Sequence, residues 1–143
     1  MHRTGSMKTS NVLRKLIRAC VDDECTLRHE STLVDAGRSE ALTRLARERG
    51  QFVADLERLA ECELPHDGSW SELSREAKRN VWVAAAGRNS GDAIRSCRQS
   101  RARTEARYDE ALRSPWPGET QRMITEQRRR LHGEADELVK LQF

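Results

Sequence analysis

The chain has 143 residues, 34% of them charged and 4% aromatic, with a net charge of +3 from 26 basic and 23 acidic side chains. That length gives one domain with a core of its own, and the composition suits long solvent-faced helices and argues against sheets. No stretch approaches the ~20 apolar residues of a membrane span, and the N-terminus lacks the apolar segment of a signal peptide, so a cytoplasmic protein without a membrane partner is expected.

Met1 to Ser6 reads as a cloning remnant, and residues 1–9 as a disordered leader ahead of a single helical-bundle domain, 10–143. Ser10 is the expected N-cap of a first helix that runs to about Asp35. Ala36 and Gly37 form the expected turn, with Gly37 as a left-handed cap. A second helix follows from about Ser39 to Glu63. With so short a linker the two helices must pack antiparallel.

Leu64, Pro65, His66, Asp67 and Gly68 then break the chain. Ser69 and Glu72 fit a capping box that opens a shorter helix ending at Gly87. Asn89, Ser90 and Gly91 make the next turn, Ser90 serving as cap, and a helix covers about Asp92 to Arg113. Ser114 to Gly118 separates it from the last helix, about Glu119 to Leu141. The segment from Leu64 to Gly91 is long enough to carry the chain back along the bundle. The expected fold is therefore all-α, a ferritin-like four-helix bundle: an up-down pair, a crossover carrying the shorter helix, and a second up-down pair. A five-helix up-and-down array is the alternative.

Apolar positions recur every three or four residues, the period of a buried helix face. The stripes are Leu13, Leu16, Ile17, Cys20 and Leu27; Leu42, Leu45, Phe52, Leu56 and Leu59; Ile94, Cys97, Tyr108 and Ala111; and Ile124, Leu131, Leu138 and Leu141. Each is broken near its middle by a charge: Glu24, Arg49, Arg101 and Glu134. Two acids and two bases at mid-bundle are expected to neutralise one another as a buried ion-pair network. Glu24 and Arg49 each lie about twelve residues from the first turn, so a direct Glu24–Arg49 pair is expected from the hairpin geometry.

The middle of a four-helix bundle is also where carboxylate metal sites are built. A dinuclear site uses several carboxylates and usually two Glu-x-x-His pairs, whose spacing puts both ligands on one helix face. The one literal match, Glu63 to His66, is split by Pro65 in a loop. Arg49 and Arg101 in the core would repel a divalent cation. No metal ligand is therefore assigned; Glu24, Glu30 and Glu134 with a nearby histidine are the residues that a carboxylate di-iron or di-manganese protein would use. No nucleophile-elbow, P-loop or dinucleotide glycine pattern occurs, so no catalytic residue and no cofactor is expected.

The four cysteines, Cys20, Cys25, Cys62 and Cys97, form no CxxC pair, which argues against a zinc knuckle. Cys20 and Cys97 fall on core stripes and read as small buried hydrophobes. Arg128, Arg129 and Arg130, backed by Arg98, Arg101, Arg103 and Arg107, are the basic residues that could meet a nucleic acid. Consecutive helical residues point in different directions, however, Glu119, Glu126 and Glu134 are interleaved, and no recognition motif is present, so a nucleic-acid partner is not expected. The apolar run containing Val81, Trp82 and Val83 suggests a homo-oligomer contact or a surface for an unknown protein partner.

Asn11 to Ile17 followed by Asp22 to Leu27 resembles the opening helix of a small bacterial ferritin-like family, four-helix-bundle proteins with a domain of unknown function. Arg49 to Phe52 followed by Asp55 and Leu56 is similar to that family's second helix, typically Arg-x-Glu-Phe-x-x-x-Leu. Tyr108 to Leu112 is similar to its tyrosine-containing segment, and Trp116 to Glu119 to its proline-bearing turn. The resemblance covers about Val12 to Leu141. Three positions depart from the pattern: Arg101 where the family tends to have Glu, Ala135-Asp136 where it tends to have His-Asp, and Gln51 where it has Glu. These are the residue types of a carboxylate–histidine metal site. The resemblance thus implies a degenerate site and a non-catalytic structural or interaction role with a link to stress. A metal-binding ferritin-like protein is the alternative, and a weak nucleic-acid-associated protein is the third reading.

Overall fold

A computed structural model describes the backbone of residues 3–63 and 92–142 and the side chains of 10–61 and 92–142. Among these residues there are four helices and no strand: α1 (Arg3–Ser31), α2 (Ala36–Glu63), α3 (Ala93–Ala111) and α4 (Gly118–Gln142). None is long and apolar enough to cross a membrane. The shorter helix expected between Ser69 and Gly87, and with it the Val81, Trp82 and Val83 contact surface, lies outside the described residues, as does the Ser90 cap.

The helix ends correct three local expectations. The backbone of α1 is already helical at Arg3, ahead of the Ser10 cap, because a favourable cap residue does not oblige a helix to start there. The α1–α2 turn spans Thr32 to Asp35 rather than Ala36-Gly37: the Thr32 and Leu33 amides close on the carbonyls of His29 and Glu30. Asp35 is the reason α2 starts early. Its Oδ1 accepts the Arg38 amide at 3.0 Å, an N-cap bond that draws Ala36 and Gly37 into the first helical turn and leaves Gly37 no left-handed role. Asp92 caps α3 in the same way, accepting the Arg95 amide at 2.9 Å.

Cross-helix bonds set the directions. Arg49 of α2 meets Asp23 of α1, and Tyr108 of α3 meets both Cys20 of α1 and Gln127 of α4. Arg130 of α4 meets Glu48 of α2. In each pairing one number rises as the other falls along the interface: Arg44–Glu137 follows Glu48–Arg130, and His132–Glu105 follows Arg128–Asp109. Neighbouring helices are therefore antiparallel, and α2 and α3 run parallel on a diagonal. The end of α2 and the start of α3 accordingly sit at opposite ends of the bundle.

The core is divided. One apolar cluster holds Leu13, Leu16, Cys20, Phe52, Leu56, Tyr108, Ile124 and Leu131 at one end. A second holds Leu27, Leu42, Leu45, Ile94, Cys97 and Leu138 at the other. On α2, α3 and α4 the chain passes between the two through polar residues that are themselves buried, Arg49, then Ser100 and Thr104, then Glu134; on α1 the buried Asp23 and Glu24 sit between Val21 and Cys25, at the edge of the first cluster.

Candidate functional site

This mid-bundle polar layer is the most chemically distinctive place in the described molecule. Arg49 has no solvent exposure. Its Nε donates to Asp23 Oδ2 at 2.6 Å and its Nη2 to Glu134 Oε1 at 2.6 Å, so one guanidinium ties α1, α2 and α4 together. Both bonds are charge-assisted and short, as expected where the surrounding dielectric is low. The same guanidinium lies 5.0 Å from the centroid of the Phe52 ring one turn along α2, within cation–π range.

Two carboxylates thus share one cation, and the trio carries an excess negative charge. Burial opposes the charge on Arg49, but the adjacent Asp23 and Glu134 outweigh that effect and raise its pKa, so it stays protonated. The excess is relieved at Glu134. Burial pushes its carboxyl up from 4.5 to about 7, against the lowering effect of the Arg49 charge. Asp23 Oδ1, Arg49 Nη1 and Glu134 Oε2 are buried and find no hydrogen-bond partner among the described residues.

Beside this trio runs a neutral chain. The Tyr108 hydroxyl donates to Gln127 Oε1 at 2.6 Å, and Gln127 Nε2 donates to the Phe52 carbonyl at 3.4 Å. The Tyr108 proton is spent on Gln127, so the Cys20 thiol, 3.3 Å away, donates to the phenol oxygen. Burial raises the Cys20 pKa to about 12 and lifts Tyr108 well above its ordinary value, keeping both protonated. Phe52 and Tyr108 pack edge to face, with ring centroids 6.5 Å apart. The chemistry available here is hydrogen bonding among neutral groups, and it fixes the relative height of α1, α2, α3 and α4.

Of the four charges expected to form the network, two do: Arg49 and Glu134. Glu24 is buried but bonds Arg28 at 3.0 Å, one turn along its own helix. The direct Glu24–Arg49 bond is replaced by Asp23–Arg49, a slip of one residue in the hairpin register. Glu24 instead faces the adjacent Gly50, where a Cβ would stand 3.2 Å from its Oε2. Arg101 lies outside the layer: Ser100 takes the buried position, and Arg101 reaches along the α3–α4 groove to Glu105 at 3.4 Å and the Leu131 carbonyl at 3.3 Å. A second buried arginine would need a second pair of acids, whereas a serine costs little.

The residues named for a carboxylate metal site do not converge. Glu24 and Glu30 are six residues apart on α1, roughly 9 Å, and Glu30 lies near the Cys97 thiol. His132 turns outward to Glu105 at 2.7 Å. Among the described residues no group of three or more His, Cys, Asp and Glu is arranged to hold a metal ion. Three of the cysteines, Cys20, Cys25 and Cys97, are buried.

Sequence reasoning missed Asp23, and it missed Gln127 and Cys20 as the two partners of the Tyr108 hydroxyl. The signal for Asp23 was present: Asp22, Asp23 and Glu24 are consecutive acids, spread over about 200° of the α1 wheel. Asp22 is exposed while the next two are buried. The basic run of α4 is neutralised, with Arg128 bonded to Asp109, Arg129 to Glu126 and Arg130 to Glu48. The chain matches no family model, no curated protein and no solved structure.

Proposed function

We propose that the chain is a non-catalytic, ferritin-like helical bundle in which a guanidinium takes the place a metal ion would hold, and that it serves as a structural or interaction module. The observation that carries this reading is Arg49, wholly buried and bonded to a carboxylate from each of two neighbouring helices. A fixed cation at mid-bundle repels a divalent ion and occupies the carboxylates that would bind it. The ferritin-like part of the reading is supported by the parallel run of α2 and α3 and by the motif resemblance around Arg49 and Tyr108. Cys20 and Cys97, free thiols in the core, suit a reducing compartment, here the cytoplasm.

Metal analysis of protein purified without chelator, after growth with added iron, manganese and zinc, tests the reading. Metal-free protein is the expected result. Iron or manganese approaching one ion per chain would overturn it in favour of a carboxylate metal site.

A further inference from the structure

The ion pairs of this molecule are unevenly distributed. Arg107, Arg128, Arg129 and Arg130 each bond a carboxylate. Lys15, Arg18, Arg95, Arg98 and Arg103 are exposed and make no ion pair among the described residues; Arg98 meets only the neutral Gln142. Arg47, Arg113, Arg122 and Lys140 also lack one among the described residues, but they are scattered over α2, the α3–α4 turn and α4.

The five are not scattered. Lys15 and Arg18 of α1 face Arg103 and Arg107 of α3 across a groove whose floor includes Ala19, Ser100, Thr104 and Ala106. On the other flank of α3, Arg95, Arg98 and Arg101 line the groove against Ala135 and Val139 of α4. Helix α3 is thus a basic ridge between two basic grooves, and its unpaired cations, Arg95 to Arg103, span about 12 Å. The acids nearby are already engaged: Glu105 with Arg101 and His132, Asp109 with Arg128, Glu110 with Arg107. Asp22, at the edge of the α1–α3 groove, is the carboxylate that lines it.

We propose that the α3 face binds the phosphate backbone of a nucleic-acid duplex without regard to sequence. A line of unneutralised cations over that length matches a polymer carrying a negative charge every ~1.7 Å. No aromatic side chain lines either groove, so the base stacking that holds single strands is missing, which favours a duplex. No residue of the ridge belongs to the Arg49 layer, so failure of this proposal leaves the reading of that layer untouched.

The test is fluorescence anisotropy of a labelled random-sequence 20-base-pair duplex with the full chain, from 20 to 200 mM salt. Five phosphate contacts give a slope of log K against log salt near −4.5. The K15A/R18A/R103A variant, all at exposed positions, is expected to weaken binding at least tenfold at 20 mM salt and to shrink the slope by about three. R129A, on the neutralised run of α4, is expected to bind as the parent does. No binding at 20 mM salt, a triple variant that binds as well as the parent, or equal competition by poly-glutamate at matched charge would each overturn the proposal.

Discussion

Arg49 donates its Nε to Asp23 at 2.6 Å with neither side chain more than 1% exposed, so the α1–α2 hairpin is held at mid-height by an ion pair that water does not reach. Such a pair adds little net stability over a hydrophobic replacement, because desolvation offsets the attraction. Breaking it from one side is different. Arg49→Leu strands Asp23 and Glu134 as uncompensated buried carboxylates and should cost about 3–5 kcal/mol. The triple change R49L/D23L/E134L removes all three charges and should recover most of that loss. Urea unfolding of the two variants decides the matter: a triple no more stable than R49L would show that the arginine acts through packing.

Glu134 makes stability depend on pH in an unusual direction. Its folded-state pKa, about 7, lies above the ordinary 4.5. Between those values the folded protein holds a proton that the unfolded chain has released, so this group's contribution is fully present below about pH 4.5 and is lost as pH rises through 7. The span corresponds to roughly 3 kcal/mol as an upper bound. Glu134→Gln keeps an acceptor for Arg49 Nη2 and has nothing to titrate. Urea midpoints measured from pH 5 to 8.5 should fall with pH in the parent and flatten in E134Q. Parallel curves would mean that Glu134 stays ionised in the fold.

The periodicity of the chain made the bundle legible and its polar layer half legible. On α4 a regular step of three and four residues selects Ile124, Gln127, Leu131, Glu134 and Leu138, and all five are buried. On α3 the spacing between Cys97 and Thr104 allows a step through either Ser100 or Arg101, and the wheel does not choose; the cost of burying a second arginine does. On α1 the acids Asp23 and Glu24 both fall on the buried side, and a single residue of hairpin register decides which of them meets Arg49. That register is fixed by the Asp35 cap, a bond between a side chain and a backbone amide that hydrophobic patterning does not encode.

Tyr108 stands at the join between α1, α3 and α4, and its hydroxyl is worth more than a surface hydrogen bond. Tyr108→Phe leaves Gln127 Oε1 buried without its donor and removes the acceptor of the Cys20 thiol. A loss of about 1–3 kcal/mol follows from stranding a buried polar group. Pairing Y108F with Q127L removes both ends of the bond, and the double variant should lose less than the sum of the singles. Additive losses in this cycle would assign the tyrosine's role to its ring alone.

The thiols report on the same core. Cys20 is fully buried with its pKa raised to about 12, and Cys97 is fully buried and pushed higher still, in both cases because burial disfavours the thiolate. The thiolate is the reactive form, so neither should react with a charged disulfide reagent in native protein at pH 8. Modification should proceed only through opening of the bundle and should accelerate in step with urea-induced unfolding. Because Cys20 and Cys97 lie in different apolar clusters on either side of the Arg49 layer, site-resolved mass spectrometry of the labelled chain also asks whether the two halves open together. Equal rates at both positions are expected of a layer that couples them. In R49L the rates should separate, since the trio that ties α1, α2 and α4 is gone; rates that remain equal in that variant would show that the two clusters are coupled by helix packing and not by the buried charges.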